Sequence, residues 1–219
     1  MDIVKAQAVS GAVEGLVIGA DKQTAGRGRF NRKWESPSNT GLYFSFVLRP
    51  RLSSKEMFVV TFLSSLAVCE VCRELGVNAS IKWPNDVLIE GKKVCGILTQ
   101  AEFKRMDLDF LVVGVGLNVN TLEKDIPAGG CSLLSVTGKE FDREEVLVKL
   151  LDRIEFWYER VKVEGVAPVV NSWKGMCVTL NSHVTIADSN KIIEGLAIDI
   201  ADDGGLLVKQ NNNEIIKIL

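Results

Sequence analysis

Residues 23–34 read QTAGRGRFNRKW, in which two Gly-Arg pairs are followed by Arg32 and Lys33, no acidic residue intervenes, and Trp34 closes the run. Gly26 and Gly28 permit close backbone approach, while Arg27 and Arg29 offer planar guanidinium forks that match a carboxylate or a phosphate. Such a loop is suited to folding over an anion. Alone, GRGR reads equally as an exposed basic turn; a short RG-type nucleic-acid contact is a third reading, weakened by there being only two such pairs in an acidic protein. A second stretch, KWPNDVLIEGKKVCGIL at 82–98, puts Pro84 after a strand, Asn85 and Asp86 in a tight turn, and Lys92 and Lys93 beyond a Glu-Gly turn. If that hairpin returns antiparallel, Asp86 and one lysine share a space; the competing reading is a surface hairpin with charged tips. The third stretch, GVGLNVN at 114–120, carries glycines at a strand end and an Asn118 able to bond a ligand edge or cap a turn. No helix pattern follows it directly, so it is not a dinucleotide-binding fingerprint, and no Walker A sequence occurs.

The surrounding chain narrows the chemistry. With 26 Lys and Arg against 28 Asp and Glu, the formal net charge is -2, which argues against a surface that coats nucleic acid. The single histidine, His183, leaves no multi-histidine metal site, and a Ser-His-Asp triad would have to be built on it. It lies in NSHVTIAD, read as a partly exposed strand. Five cysteines, mostly in apolar runs, are expected as reduced core thiols in a cytoplasmic setting. The CEVC pair at 69 and 72 sits mid-helix without a second pair at metal-ligand spacing, so it reads as core. No apolar run approaches the roughly 20 residues of a membrane span. The start, MDIVKAQAV, lacks signal-peptide zones, so neither secretion nor membrane insertion is expected.

The elements that must position these residues follow from periodicity. A helix is predicted over 2–14 and strands over EGLVIGAD and GLYFSFVLRP. A long buried helix follows, with Ser53 or Ser54 as N-cap and Gly76 as stop. Next come strands ASIKW, a hairpin DVLIEGKKVCGILTQAEF, and DLDFLVVGVGLNVN. Residues 125–138 read as loop, and FDREEVLVKLLDRIEFWYERVK as a second clear helix. From Val178 onward VTL, HVTIA, KIIEGLAIDI, GLLVKQ and EIIKIL all read as short strands, a small β-barrel appended to an α/β domain. The division expected is 1–173 and 174–219.

The GRGR loop with its downstream tryptophan, KWPND with a Gly-Lys-Lys turn leading into GIL, and GVGLNVN, in this order, closely resemble biotin protein ligases. The resemblance runs over nearly the whole chain. It implies an α/β (α+β) fold: a class II aminoacyl-tRNA synthetase-like catalytic domain on a mixed sheet, then an SH3-like β-barrel. It also implies a two-step reaction in which biotin and MgATP give biotinyl-5′-AMP and pyrophosphate, after which a lysine of a biotin carboxyl carrier protein domain takes the biotin.

By the same resemblance Arg27 and Arg29 hold the biotin carboxylate and the phosphates, and Lys93 is the catalytic lysine near both. Gln23 contacts the biotin head group, Gly26 and Gly96 lie beside the biotin, and Asn85 and Asn118 serve the nucleotide. Asp86 orients the incoming carrier lysine or contacts Mg²⁺, and no other metal ligand is implied. Trp34 is read as a hydrophobic lid at the nucleotide side or as plain core, and 121–133 as the adenine-side loop. A lipoate or octanoate ligase and a non-catalytic biotin-binding protein are the alternatives. The family's repressors carry an N-terminal DNA-binding domain with no counterpart here, so no nucleic-acid partner is expected, and members without it are often homodimers. Three departures stand out. Met1 falls where the Asn of a Ser-Thr-Asn biotin contact belongs, so this chain is expected either to be shortened there or to remake the contact. Phe30-Asn31 replaces a common Arg-Gly, and Gln100 a common Glu.

Overall fold

The computed structural model describes residues 1–188 and 191–219. Helix α1 (Asp2–Val9) buries Val4 and Ala8 and is shorter than predicted, stopping before Gly11. Strands β1 (Val17–Ala20) and β2 (Leu42–Leu48) follow, then helix α2 (Phe58–Glu74) and strands β3 (Ala79–Lys82), β4 (Asp86–Ile89), β5 (Lys92–Lys104) and β6 (Asp107–Leu117). These six strands form one sheet in the order β1-β2-β6-β5-β4-β3. All its strand pairings are antiparallel, where a mixed sheet was expected. For four of the strands the reason is local. β3 to β6 are consecutive strands joined by tight turns, and Glu90 and Gly91 both take positive φ (50° and 76°), which suits a two-residue hairpin.

The sheet is covered unequally. On one face α2 is buried along most of its length, from Val59 to Cys72, which matches its nearly continuous apolar sequence. On the other, α1 seals a smaller cluster with Val47, Phe110 and Val112. β2 lies under both layers and all of its residues are buried. The predicted serine cap of α2 is not formed. Glu56 instead accepts from the Ser53 backbone N–H and hydroxyl, closing a separate turn, and the helix begins after Met57 without a side-chain cap. Gly76, at φ 83°, ends it as expected. Cys69 and Cys72 face the core, where burial pushes the Cys69 thiol up to about 12.

The stretch read as loop holds a helix, α3 (Leu133–Thr137). Ser132 and Ser135 form a reciprocal capping box at its start, and Gly138 closes it in the left-handed region. Helix α4 (Arg143–Glu164) starts at Asp142, whose carboxylate accepts from the Glu144 and Glu145 N–H groups, and buries Val146, Leu150, Ile154 and Trp157 at helical spacing. Helix α5 (Ala167–Met176), which the sequence reading did not separate, carries Trp173. The indole stacks on Phe62 of α2 with ring centres 4.0 Å apart and donates to the Ser65 hydroxyl.

Residues 178–180 form a turn, not the strand expected of VTL. The remaining predicted strands are β7 (His183–Asp188), β8 (Lys191–Ile200), β9 (Leu206–Lys209) and β10 (Ile215–Ile218), an antiparallel sheet in the order β10-β9-β8-β7. Exposed His183 lies on β7. Among the described residues no helix is long and apolar enough to cross a membrane. Because Trp173 is fully buried, Trp173→Ala is expected to lower unfolding free energy by about 3–5 kcal/mol. The exposed Ile192→Ala should change it by no more than about 0.5 kcal/mol, both read from denaturant titration.

Candidate active site

The basic loop is held shut at its base by backbone bonds. Trp34 N–H donates to the Gly26 carbonyl (2.9 Å), Gly28 N–H donates to the Arg32 carbonyl (2.7 Å), and Arg27 bridges Lys33 between them. Its tip is a single 3-10 turn, Arg29–Asn31, with Phe30 at φ 54°, a left-handed conformation that costs a bulky residue energy. The two loop glycines differ. A β-carbon on Gly26 would lie 2.4 Å from the Trp34 carbonyl oxygen and 2.8 Å from Gln23 Oε1, whereas one on Gly28 would meet only ordinary contacts. Gly26 is therefore required by close approach. Gln23, behind it, accepts a 2.8 Å bond from Ser36.

This loop roofs a cavity of about 220 Å³ whose walls include Gln23, Arg27, Arg29, Asp86 and Lys93. Its floor is made of glycines on β5 and β6. The Trp34 indole lies on that floor: β-carbons on Gly96 and Gly116 would fall 3.2 Å and 2.7 Å from its ring atoms. Trp34 Nε1 is buried with no hydrogen-bond partner, so an acceptor arriving in the cavity would satisfy it.

On the wall, Asp86 Oδ1 meets Lys93 Nζ at 2.6 Å. The contact is a charge pair without the alignment of a directed hydrogen bond. Both side chains are about one-third exposed or less (26% and 35%), so water screens the pair only partly. The β4–β5 hairpin makes it: Asp86 pairs with Gly96, and a bulge between Val87 and Leu88 shifts the register so that Leu88 opposes Lys93. Lys93 faces the cavity while Lys92 is exposed outside it. Lys93 Nζ also lies 5.4 Å from the centre of the Trp34 ring. Its backbone is clamped, donating to the Gly129 carbonyl (2.8 Å) and accepting from Cys131 N–H (2.9 Å).

Two arginines complete the charge pattern. Arg29 is half-buried; burial pulls its guanidinium below the usual arginine range, and neighbouring Asp86 acts in the opposite sense. Arg27 is ion-paired with Asp2 in the first turn of α1. Asp2 belongs to no motif, and its only local signal is its place as an acid in the first turn of α1. Gly116 reads in the sequence as a strand-end glycine, and only the neighbouring Trp34 indole shows it to be floor.

The asparagines sit differently. Asn85 lines the cavity, but its amide donates to the Ile97 carbonyl (2.7 Å), and its own carbonyl accepts from Ile97 N–H, so it pins the hairpin. Asn118 is buried outside this cavity and donates to the Cys131 carbonyl (3.0 Å), tying β6 to 127–131. It lines a neighbouring cavity of about 230 Å³ with Trp34, Lys93, Ile126 and Pro127. Lys93 stands at the border of both cavities.

Residues 5–118 match the model of the biotin/lipoate A/B protein ligase family, and residues 179–219 match the biotin protein ligase C terminal domain. This chain belongs to the biotin/lipoate A/B protein ligase family. It is 34% identical over 205 residues to the bifunctional ligase/repressor BirA of Bacillus subtilis, covering 91% of this chain and 63% of that protein. It therefore spans less than two thirds of that relative. With the biotin--[acetyl-CoA-carboxylase] ligase of Paracoccus denitrificans it shares 31% identity, covering 86% of this chain and 81% of that one. The biotin protein ligase of Aquifex aeolicus in complex with biotin and ATP superposes with a TM-score of 0.82 at 33% identity, covering 95% and 88% of the two chains.

Since Gly26 holds the loop base by contact and Gly28 does not, Gly26→Ala is expected to speed tryptic cleavage at Arg27 and Arg29 severalfold, while Gly28→Ala leaves it near wild type. Equal rates in the two variants would contradict the assignment.

Proposed function

We propose that this protein activates biotin with MgATP to biotinyl-5′-AMP and transfers the biotin to a lysine of a biotin carboxyl carrier protein domain. The observation that carries this reading is the convergence of Lys93, Asp86 and Arg29 on one half-enclosed cavity next to a second one. The family match and the likeness to a ligase bound to biotin and ATP support it.

In the first step a biotin carboxylate oxygen bonds to the α-phosphorus while the bond to the bridging oxygen breaks, releasing pyrophosphate. Two anions must meet, and charge builds on the phosphoryl oxygens. Lys93 and Arg29 are the cations that offset the repulsion and stabilise the transition state, with Arg27 as a further cation at the loop. Gln23, Gly26 and Gly96 border the biotin; Trp34, Asn85 and Asn118 border the nucleotide, with Asn85 acting through the hairpin it pins. In the second step the carrier lysine, as a neutral amine, attacks the acyl carbon. The amide forms, AMP leaves, and the amine proton is lost. Asp86 is positioned to orient that amine once Lys93 has turned to the phosphate.

Magnesium is read here as part of the substrate MgATP. Asp86 holds Lys93 in this structure and would be free to meet that ion, or the incoming amine, once Lys93 has turned to the phosphate; an ion carried in on phosphates needs only one or two protein carboxylates. The five free, buried cysteines support a reducing, cytoplasmic location. Residues 1–173 are read as the catalytic unit and 174–219 as the appended one.

Biotin-dependent exchange of labelled pyrophosphate into ATP, run in parallel with lipoate, tests the reading. Exchange is expected with biotin alone, and Lys93→Ala and Arg29→Ala should each slow it by about 10²–10³-fold. Exchange with lipoate alone would overturn the substrate. Unchanged rates in both variants would overturn the residue roles.

A further inference from the structure

The catalytic corner is not held by the sheet alone. Trp83 directly precedes Pro84, Asn85 and Asp86, and both of its N–H groups are taken by the C-terminal part of the chain. Its backbone N–H donates to Thr179 Oγ1 (2.9 Å), and its indole N–H donates to the Gly204 carbonyl (3.0 Å), 121 residues away in sequence. One step earlier, Val178 N–H donates to the Ile81 carbonyl, and Cys177 pairs with Ile81 as a parallel bridge at the outer side of β3. The segment leading to Asp86 is thus stitched to 177–179 by backbone and closed by Gly204 through the indole.

Gly204 is built for that contact. It takes φ 82°, and a β-carbon there would lie 2.4–2.7 Å from Phe58 atoms at the start of α2. Its turn is fixed by Ala201–Gly205 and Gly204–Ala201 backbone bonds and by an Asp203–Lys217 ion pair (2.6 Å) to β10. The turn also forms one wall of a cavity that shares Arg29, Asn85, Ile97 and Leu98 with the cavity holding Lys93. From Trp83 the constraint passes along the chain to Asn85, locked both ways to Ile97, and to Asp86, which holds Lys93.

We propose that Trp83 is a positioning residue, and that the Gly204 turn of the C-terminal domain acts through it to fix where Asp86 presents Lys93. The catalytic consequence rests on the proposed biotin-activating function; the mechanical one does not. A bond from another domain to the residue at the root of a turn restrains the direction in which that turn leaves the strand. Loss of the bond loosens Asp86 and Lys93, with Asn85 and Gly96 of the same hairpin, while leaving the walls made by Gln23, Gly26, Gly116 and Asn118 in place.

The test uses two variants of the full chain: Trp83→Phe, which keeps an aromatic ring but removes the indole N–H together with part of the ring volume, and Gly204→Ala, which leaves Trp83 intact and forces the turn off Phe58. Amide hydrogen exchange without ligand reads the mechanical part. Peptides covering 83–97 are expected to exchange at least fivefold faster in both variants, with those of α4 unchanged. Protection of 83–97 equal to wild type would overturn the inference whether or not the protein uses biotin. Pyrophosphate exchange reads the catalytic part: kcat is expected to fall about tenfold with the biotin KM within twofold. Burst titration should show the same number of adenylate-forming sites per chain. A loss confined to the number of active sites, with kcat per site unchanged, would mean that Trp83 only supports folding. Lack of exchange in the wild-type chain would defeat the biotin reading and leave the hydrogen-exchange result to decide the mechanical claim.

Discussion

Several cations must be kept close together in a half-enclosed cavity before any anion arrives. Arg27, Arg29 and Lys93 line one cavity, and like charges sharing a partly desolvated space repel one another. The protein balances this repulsion with carboxylates from unrelated elements: Asp86 on β4 opposite Lys93, and Asp2 at the head of α1 opposite Arg27. On the proposed function, each carboxylate stands in for an anion that the ligand can later supply. The bulge in the β4–β5 hairpin, the clamp of 127–131 on the Lys93 backbone and the seat of α1 on the sheet all serve this balance by fixing where the charges stand.

The second constraint is room. A cavity over a sheet needs a floor without side chains, and Gly96, Gly114 and Gly116 provide it on adjacent strands, with Gly96 and Gly116 directly paired. The Trp34 indole lies there with its N–H unsatisfied, so the floor carries a flat apolar surface bearing one unused donor. Around it the core is continuous, from α2 through Trp173 of α5 to the β8 and β9 residues of the C-terminal sheet. That continuity makes the C-terminal domain part of the mechanical frame of the site.

Much of this was legible in the sequence because local chemistry dictated it. Glu90-Gly91 specified a hairpin, and the hairpin brings Asp86 to Lys93; the apolar spacing of 143–164 specified a helix, and a helix is found. What was not legible lay outside apolar periodicity, in hairpin stacking, a polar capping box and partners far along the chain. The antiparallel sense of the sheet follows from how hairpins stack, which a resemblance to a mixed-sheet family obscured. α3 hides in a Gly- and Pro-rich stretch because its signal is the Ser132–Ser135 box and not an apolar period. The positive φ fell on Phe30, although both neighbouring glycines of the GRGR motif could have taken it, because the loop closes by pairing Gly28 with Arg32. Asp2, Gly204 and the two bonds of Trp83 gain meaning only from contacts that no local pattern announces.

The most direct test of the charge-exchange account is a crystal structure of the protein with biotin and ATP. The account predicts that Lys93 Nζ leaves Asp86 for the biotin carboxylate and α-phosphate, with Arg29 on the same group and the loop closed over both. Biotin and nucleotide bound with Lys93 still paired to Asp86 and neither cation within hydrogen-bond reach of carboxylate or phosphate would contradict it.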